Sequence, residues 1–199
     1  MKQSNILIIF AKNLVHGKVK TRLASSIGDD HAFEIYKKLL RYTKAVVQNV
    51  DADKIVYYSD QVELADMWDG GFLKAKQQGA NLGEKMMNAF KDVFQKGYTK
   101  VVIIGTDCPS LNQQIIHTAF EHLNQKDIVI GPAYDGGYYL LGMKLLHENL
   151  FQNIAWSTKT VFETTIAICN QFNLSYSVLP LLHDIDEEKD LVHLKTTSI

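Results

Sequence analysis

Short apolar runs alternate along this chain with longer stretches of helical period. Residues 6–11 form a continuous apolar run, which is typical of a strand buried on both faces. From Asp29, a predicted N-cap, apolar residues recur every three or four positions, and this spacing predicts a long helix with one apolar face. Further strands are predicted at residues 54–59, 100–105, 127–131, 137–144 and 175–179, and further helices near residues 82–94, 115–123 and 161–169.

The alternation of strands and helices predicts an α/β fold. Buried apolar strands separated by helices form a mostly parallel sheet that is covered by helices on both faces, a three-layer sandwich. The strand at residues 137–144 is the candidate antiparallel member. No linker, repeat or low-complexity tract interrupts the pattern, so a single domain is predicted over residues 1–199.

Composition narrows the class of protein. Hydrophobic residues make up 46% of the chain, charged residues 22%, and the formal net charge is −1, so no global attraction to nucleic acid or to a membrane is expected. Two cysteines in 199 residues do not suggest a disulfide framework, and a reducing compartment is expected. The run at residues 6–11 is too short for a signal-peptide core or a membrane span. A cytoplasmic protein with small-molecule partners is predicted.

Ligands on such sheets bind beyond the carboxyl ends of the strands, so the segments after the strands are the candidate sites. After the first strand, Lys12, Lys18, Lys20 and Arg22 fall within eleven residues. The P-loop pattern fails, because Lys12 stands at the first glycine position and Val19 follows the lysine. A flexible cationic loop that binds phosphate oxygens is predicted, the alternative being a solvated charged loop.

After the strand at 100–105, Asp107 stands where a divalent cation could bridge its carboxylate to a diphosphate. Mg²⁺ commonly uses one or two carboxylates together with phosphate oxygens, so Asp107 is the predicted ligand of Mg²⁺ or Mn²⁺. The alternative is an aspartate that caps the turn. Cys108 follows directly, and a packing thiol is expected there rather than a nucleophile.

Two further segments contain candidate residues. Gly136 and Gly137 allow close approach of the backbone to a ligand, Asp135 could accept a hydrogen bond from a sugar or acceptor hydroxyl, and Tyr138 or Tyr139 could stack. A hairpin turn is the alternative. Near the end of the chain, Asp184 and Asp186 are both candidates for a second metal ligand. The acidic residues after Asp186 favour a helix N-terminus.

These segments, in this order, resemble a known family. The chain is similar to the bacterial GT-A-like glycosyltransferases of the nucleotide-diphospho-sugar transferase superfamily that are named radical-SAM/selenodomain-associated transferases. The matching stretches span almost the whole chain: residues 10–28, 79–86, 103–111, 131–144, 154–158 and 184–191. The resemblance implies a nucleotide or nucleotide-sugar donor, a small-molecule acceptor and Mg²⁺ or Mn²⁺ as cofactor.

The resemblance also implies roles for individual residues. Lys12, Lys20 and Arg22 would contact the donor phosphates, and Asp107 would bind the metal with Asp186 near it. Trp156 would line the cleft, although a core anchor is the alternative. The residues implied for the nucleotide are Asn81, Leu82 and Gly83, and those implied for the sugar or acceptor are Asp135, Gly136, Gly137 and Tyr138.

Three functions remain open at this point. Glycosyl transfer follows from the whole-chain resemblance and is favoured, with Lys12 and Arg22 neutralising the leaving group and Asp135 orienting the acceptor or acting as base. Lys20 is also a candidate catalytic residue. Nucleotidyl transfer from a triphosphate to a phosphorylated metabolite is the alternative, because the single Asp107 departs from the D-x-D of many GT-A enzymes and two segments also resemble phospholactate guanylyltransferases. The third hypothesis is a nucleotide-binding module without turnover.

Overall fold

The computed structural model describes residues 4–195 and contains seven strands within that range. They are β1 (Asn5–Ala11), β2 (Asp53–Tyr58), β3 (Phe72–Lys76), β4 (Lys100–Ile104), β5 (Ile128–Pro132), β6 (Tyr138–Met143) and β7 (Tyr176–Val178). All seven join one sheet in the order β3-β2-β1-β4-β6-β5-β7. Only β6 runs antiparallel to its neighbours, which confirms the predicted, mostly parallel α/β sheet.

The helices of the described part are α1 (Thr21–Ile27), α2 (Asp29–Val47), α3 (Leu82–Gln95), α4 (Gln113–His122), α5 (Val161–Gln171) and α6 (Leu191–Lys195), with 3-10 turns at Glu148–Phe151 and Glu188–Asp190. Two of them begin at side-chain caps. The carboxamide of Asn81 accepts the Glu84 N–H at 3.0 Å, and that of Asn112 accepts the Ile115 N–H at 3.0 Å. Such caps satisfy amides that the first turn of a helix leaves unpaired.

Helices cover both faces of the sheet. On β1, Leu7 and Ile9 pack on the side of α2 and α4, whereas Ile6 and Ile8 pack on the side of α3 and α5. All four side chains are fully buried, which explains why β1 is apolar without alternation. A third, smaller cluster joins Leu23 of α1 to Leu39 of α2 and to Ile185. This cluster anchors the C-terminal segment against α1 and α2.

Two elements differ from the sequence-based expectation. The strand β3 was not predicted, since it is an edge strand on which Leu73 is half exposed, while the nearby Trp68 is buried at 1% exposure. The predicted flexible loop after β1 ends earlier than expected, because α1 begins at Thr21. The domain predicted over residues 1–199 extends beyond the described residues at both ends. Within residues 4–195, no helix is both long and apolar enough to span a bilayer.

The order of the strands locates the ligand crevice. The chain proceeds outward from β1 through β2 to β3, and then returns to place β4 on the other side of β1. Connections on either side of such a reversal diverge and leave a crevice at the carboxyl ends of the strands. In this chain, the crevice lies between the segments that follow β1 and β4.

Candidate active site

The loop after β1 is held by a buried tyrosine of α2. The hydroxyl of Tyr36 accepts the Lys12 N–H at 2.8 Å and donates to the Lys12 carbonyl at 3.1 Å. Burial and the nearby carboxylate of Asp107 raise the pKa of Tyr36, so the hydroxyl stays protonated and keeps its donor. The backbone of Lys12 is therefore fixed, whereas its side chain is exposed.

The next residue of this loop connects it to the segment after β2. Asn13 is buried, and its carboxamide accepts the Asp60 N–H at 2.9 Å and donates to Glu63 Oε1 at 2.8 Å. A buried polar side chain with satisfied bonds fixes the geometry around it. Lys12 and Asn13 line a cavity that Trp68 also borders, on the α2 side of the sheet.

Lys20 is a buried cation at the centre of the site. Its ammonium nitrogen lies 2.7 Å from Asp107 Oδ1 and donates to the Ile185 carbonyl at 2.5 Å, and its side chain is only 4% exposed. Lys20 also has a left-handed backbone, with φ 49° and ψ 44°. A non-glycine residue in this region costs free energy, and strained backbone of this kind recurs at functional sites.

The C-terminal segment delivers a second carboxylate beside Asp107. The Ile185 N–H donates to the Asp107 carbonyl at 2.9 Å, and Leu182 pairs with Ala133 in a short parallel bridge. Asp184, between these two anchors, is partly buried and faces other acids. Burial, together with the carboxylates of Asp107 and Asp135, raises the pKa of Asp184 to about 7, and Lys20 opposes that rise.

Arg22 and Asp186 form a separate pair next to this centre. Arg22 Nη1 lies 2.6 Å from Asp186 Oδ2, and both side chains are well exposed. The backbone N–H of Asp186 donates to Asp190 Oδ2 at 3.0 Å, which fixes the residue at the start of the 3-10 turn. The carboxylate of Asp186 is therefore engaged by a guanidinium, whereas that of Asp184 lies near enough to Asp107 for the two carboxylates to repel each other. A metal-binding role for Asp186 stays a prediction.

The turn between β5 and β6 brings Asp135 to the same place. Its Oδ1 accepts the Gly137 N–H at 2.8 Å, and Gly136 has a positive φ of 89°. A Cβ built on Gly136 would lie 2.1 Å from the Lys159 carbonyl oxygen, so the turn packs closely against the segment before α5. The hairpin turn anticipated as the alternative is present, and it positions the Asp135 carboxylate.

The hydroxyls of the two tyrosines after this turn contact other parts of the protein. The hydroxyl of Tyr138 lies 3.9 Å from Met86 Sδ on the α3 side, and that of Tyr139 donates to the Pro180 carbonyl at 2.9 Å. Tyr138 therefore packs with the core rather than offering an exposed ring, and its predicted contact with the acceptor stays untested. Tyr134 is 59% exposed and stacks on His183 with 3.6 Å between ring centroids.

Packing explains much of the motif at the start of α3. Asn81 caps the helix, and the Glu84 carboxylate accepts the Ala80 N–H at 2.7 Å. A Cβ on Gly83 would lie 2.2 Å from the indole nitrogen of Trp156, so only glycine fits under that ring. Contacts of Asn81, Leu82 and Gly83 with a nucleotide remain predictions. Trp156 is partly buried and lines a cleft beside α3, and its predicted place in the ligand-binding cleft stays a prediction.

Cys108 does not have the character of a nucleophile. The side chain is buried, and burial, with the nearby Asp184 carboxylate, raises the pKa of its thiol to about 12. A thiol with this pKa is almost entirely protonated near neutral pH, and the protonated form is a poor nucleophile. The predicted packing role of Cys108 agrees with this environment.

The structure thus brings together Lys20, Asp107, Asp135 and Asp184, with the Arg22–Asp186 pair beside them. Sequence analysis did not separate Asp184 from Asp186, and it missed the anchoring role of Tyr36. In the described part of the chain, no three His, Cys, Asp or Glu side chains form a cage for a metal. Asp107 and Asp184 nevertheless provide two hard carboxylate donors from different segments, a set that suits Mg²⁺ when phosphate oxygens complete its shell.

Comparison with known proteins agrees with this architecture. Residues 42–158 match the family model described as "Uncharacterized protein conserved in bacteria (DUF2064)". A crystal structure from Desulfovibrio desulfuricans G20, provisionally named a nucleotide-diphospho-sugar transferase, superposes with a TM-score of 0.89 at 31% identity, covering 98% of this chain and 87% of that one.

Two nucleotidyltransferases are also similar, one in sequence and one in fold. The 2-phospho-L-lactate guanylyltransferase of Methanocaldococcus jannaschii is 28% identical over 130 residues, 63% of this chain, and the alignment spans only 54% of that enzyme. The 2-C-methyl-D-erythritol 4-phosphate cytidylyltransferase of Thermus thermophilus shares the fold, with a TM-score of 0.57 and 12% identity over 98% of each chain.

These relatives carry transferase names, which agrees with the enzyme class predicted for this chain. The narrower relationship to radical-SAM/selenodomain-associated transferases stays a prediction. The family match covers more than half of the chain, and the D. desulfuricans protein is similar over nearly all of it. The chain belongs to the DUF2064 family and has the fold of the nucleotide-diphospho-sugar transferases.

Proposed function

We propose that this chain is a metal-dependent transferase that uses a nucleotide donor, and that it transfers a glycosyl group from a nucleotide-diphosphate sugar to a small acceptor. One observation carries the proposal. A buried lysine and two carboxylates, Lys20, Asp107 and Asp184, meet at the carboxyl edge of the sheet, where the connections after β1 and β4 diverge. Fixed charges of both signs at this edge suit a diphosphate and its metal ion.

Asp107 and Asp184 would hold the metal ion. The raised pKa of Asp184 reflects burial and repulsion from the carboxylates of Asp107 and Asp135, and a bound cation would relieve that repulsion. When bound, Mg²⁺ or Mn²⁺ supplies Lewis-acid stabilisation of the charge that develops on the departing nucleoside diphosphate. In this proposal, Asp186 orients Arg22 and is not a metal ligand.

The cationic side chains would contact the donor phosphates in different ways. Lys20 is held in one position by Asp107 and the Ile185 carbonyl, so its charge is preorganised and needs little rearrangement when phosphate arrives. Arg22 is exposed, and its guanidinium can leave Asp186 to grip two phosphate oxygens at once. Lys12, whose side chain is exposed, would add a further positive charge from the segment after β1.

Asp135 would orient the acceptor and take its proton. Its Oδ1 is fixed by the Gly137 N–H, and Oδ2 has no hydrogen bond to any residue between 4 and 195. A carboxylate anchored through one oxygen can accept from an acceptor hydroxyl with the other. Such positioning supports attack on the sugar while Lys20 and Arg22 neutralise the leaving group.

Nucleotidyl transfer remains the second candidate, and it is favoured by the similarity to the guanylyltransferase. The same cations would then neutralise a triphosphate, and pyrophosphate would be released. A nucleotide-binding module without turnover is the third candidate, and it predicts binding that does not depend on metal.

Product analysis distinguishes these candidates. The purified chain is incubated with NDP-sugars or NTPs, a panel of acceptors and Mg²⁺, and nucleoside diphosphate and pyrophosphate are measured separately. Release of nucleoside diphosphate from one NDP-sugar, lost in Asp107→Asn but retained in the surface control Glu121→Gln, is expected. Pyrophosphate release instead would establish the second candidate and overturn glycosyl transfer.

A further inference from the structure

A second cleft lies between the first turns of α3 and the segment at residues 148–156. Its volume is about 380 Å³, within the range of small-molecule sites. Phe151, Met87 and Trp156 provide apolar wall, and Glu84 and Glu148 provide the charge. Of the residues implied for the donor nucleotide, Asn81 also lines this cleft, whereas none of the residues proposed above for the phosphates and the metal does.

A short chain segment connects the cleft to the turn that carries the proposed acceptor residue Asp135. Its Trp156 wall packs directly over Gly83, the second residue of α3, which follows the carboxyl end of β3. A few residues later, the same segment packs on the Asp135 turn, where the Phe162 N–H donates to the Gly136 carbonyl at 2.9 Å. One continuous segment therefore joins a wall of the cleft to the turn that holds Asp135.

The lining of the cleft is acidic and aromatic. Among the described residues that line it, two are glutamates and none is Lys, Arg or His. The carboxylate of Glu84 is already hydrogen-bonded, since it accepts from the Ala80 N–H and the Asn81 carboxamide. Glu148 is exposed, and its carboxylate makes no hydrogen bond or ion pair to the residues between 4 and 195.

These groups select one class of ligand. A free carboxylate attracts a cation. An indole attracts an organic ammonium group through a cation–π interaction, and it attracts a small, strongly hydrated metal ion less well. The apolar wall covers the carbon atoms that such a cation carries. A phosphorylated ligand would face two negative charges without a compensating lysine or arginine, which is unfavourable.

We infer that the cleft bounded by Glu148 and Trp156 binds an organic ammonium group and recognises this part of the acceptor. The inference rests on the proposed function only in identifying the bound ligand as the acceptor, because binding itself needs neither donor nor turnover. It also favours an unphosphorylated acceptor, and so separates this chain from enzymes that act on phosphorylated metabolites.

The test is a titration with choline chloride followed by NMR of the ¹⁵N-labelled protein. The chain has two tryptophans, and the indole N–H of the buried Trp68 serves as an internal control. We expect a saturable shift of the Trp156 indole signal with no shift at Trp68. The neutral isostere 3,3-dimethylbutan-1-ol is expected to bind the wild type about fivefold more weakly than choline does. Choline is expected to bind Glu148→Gln more weakly by the same factor, and to bind the control Glu121→Gln as tightly as the wild type.

Equal binding of the neutral isostere, unchanged choline affinity in Glu148→Gln, or no shift at Trp156 would each overturn the inference. None of these outcomes depends on catalysis, so the proposed function would stand. If choline binds as expected but no nucleotide donor is turned over with any acceptor, the binding site stands and the proposed function fails. The two failures are therefore distinguishable.

Discussion

Lys20 Nζ lies 2.7 Å from Asp107 Oδ1, and this ion pair joins the segment after β1 to the segment after β4 across the crevice. The lysine is buried, whereas the aspartate is 44% exposed, so the carboxylate can still reach solvent and ligands. The Ile185 carbonyl accepts from the same ammonium, which adds the C-terminal segment to the contact. The Lys20 side chain thus connects three segments that are distant in the sequence.

Two substitutions of Lys20 distinguish the energetic cost of its left-handed backbone from the contribution of its ion pair. Lys20→Ala and Lys20→Gly both remove the ammonium, but only glycine adopts φ 49° without a steric cost. We expect Lys20→Gly to be more stable than Lys20→Ala by about 1 kcal/mol in urea unfolding, and both to lose donor turnover. Equal stability of the two variants would show that the left-handed backbone is not maintained in solution.

Asp184 makes the stability of the metal-free protein depend on pH. Its folded-state pKa of about 7 lies above the ordinary value of 3.8, so the folded state retains a proton that the unfolded chain has already released. This contribution is fully present below pH 3.8 and is lost as the pH rises toward 7. In the presence of a chelator, we expect Asp184→Asn to flatten this decline in Tm between these pH values.

Mg²⁺ provides the matching control for that experiment. Near pH 8 it should stabilise the wild type by binding the ionised pair of carboxylates, and it should have less effect on Asp184→Asn. An unchanged pH dependence of Tm in Asp184→Asn would place the carboxylate in a solvated environment and contradict the geometry described above.

The surface pair of Arg22 and Asp186 should matter for binding and little for stability. Exposed ion pairs contribute between 0 and about 1 kcal/mol, so Arg22→Ala and Asp186→Asn are each expected to shift the free energy of unfolding by less than that. Calorimetric titration of the nucleotide donor should show a loss of affinity in Arg22→Ala and only a small change in Asp186→Asn. Loss of Mg²⁺ dependence in Asp186→Asn would instead assign the metal to Asp186.

Gly83 and Trp156 are expected to be energetically coupled. The added Cβ in Gly83→Ala would overlap the indole, and overpacking of this kind costs about 1–3 kcal/mol. In a double-mutant cycle with Trp156→Leu, part of that cost should disappear, because the smaller side chain leaves room for the methyl group. Strict additivity of the two substitutions in urea unfolding would mean that the two residues do not touch.

The sequence predicts the central strands well, for a physical reason. Strands such as β1 and β4 are buried on both faces, and their continuous apolar runs are hard to confuse with any other element. The edge strand β3 carries half-exposed and charged positions, so its pattern resembles a loop. The helix α1 was missed because its start adjoins the lysine-rich segment, where charge hides the helical period.

The sequence predicts the site residues that follow strands, but not the contacts between distant segments. Asp107 and Lys20 follow strands, and the rule for ligand sites on parallel sheets identifies both. The choice between Asp184 and Asp186 depends on the hydrogen bond from the Ile185 N–H to the Asp107 carbonyl, a contact between distant segments. No local pattern encodes such a contact. Gly83 was predicted to contact the nucleotide, and the structure gives a separate reason for a glycine there, because the residue packs under the Trp156 ring.

The affinity of the nucleotide donor in Mg²⁺ and in chelator, measured by calorimetry on the wild type and on Asp107→Asn, tests the central claim most directly. The wild type should bind its donor at least about tenfold more tightly with Mg²⁺, a difference of about 1.4 kcal/mol, and Asp107→Asn should lose that difference. Equal affinity of the wild type in Mg²⁺ and in chelator would contradict a metal-dependent transferase and favour a binding module without turnover.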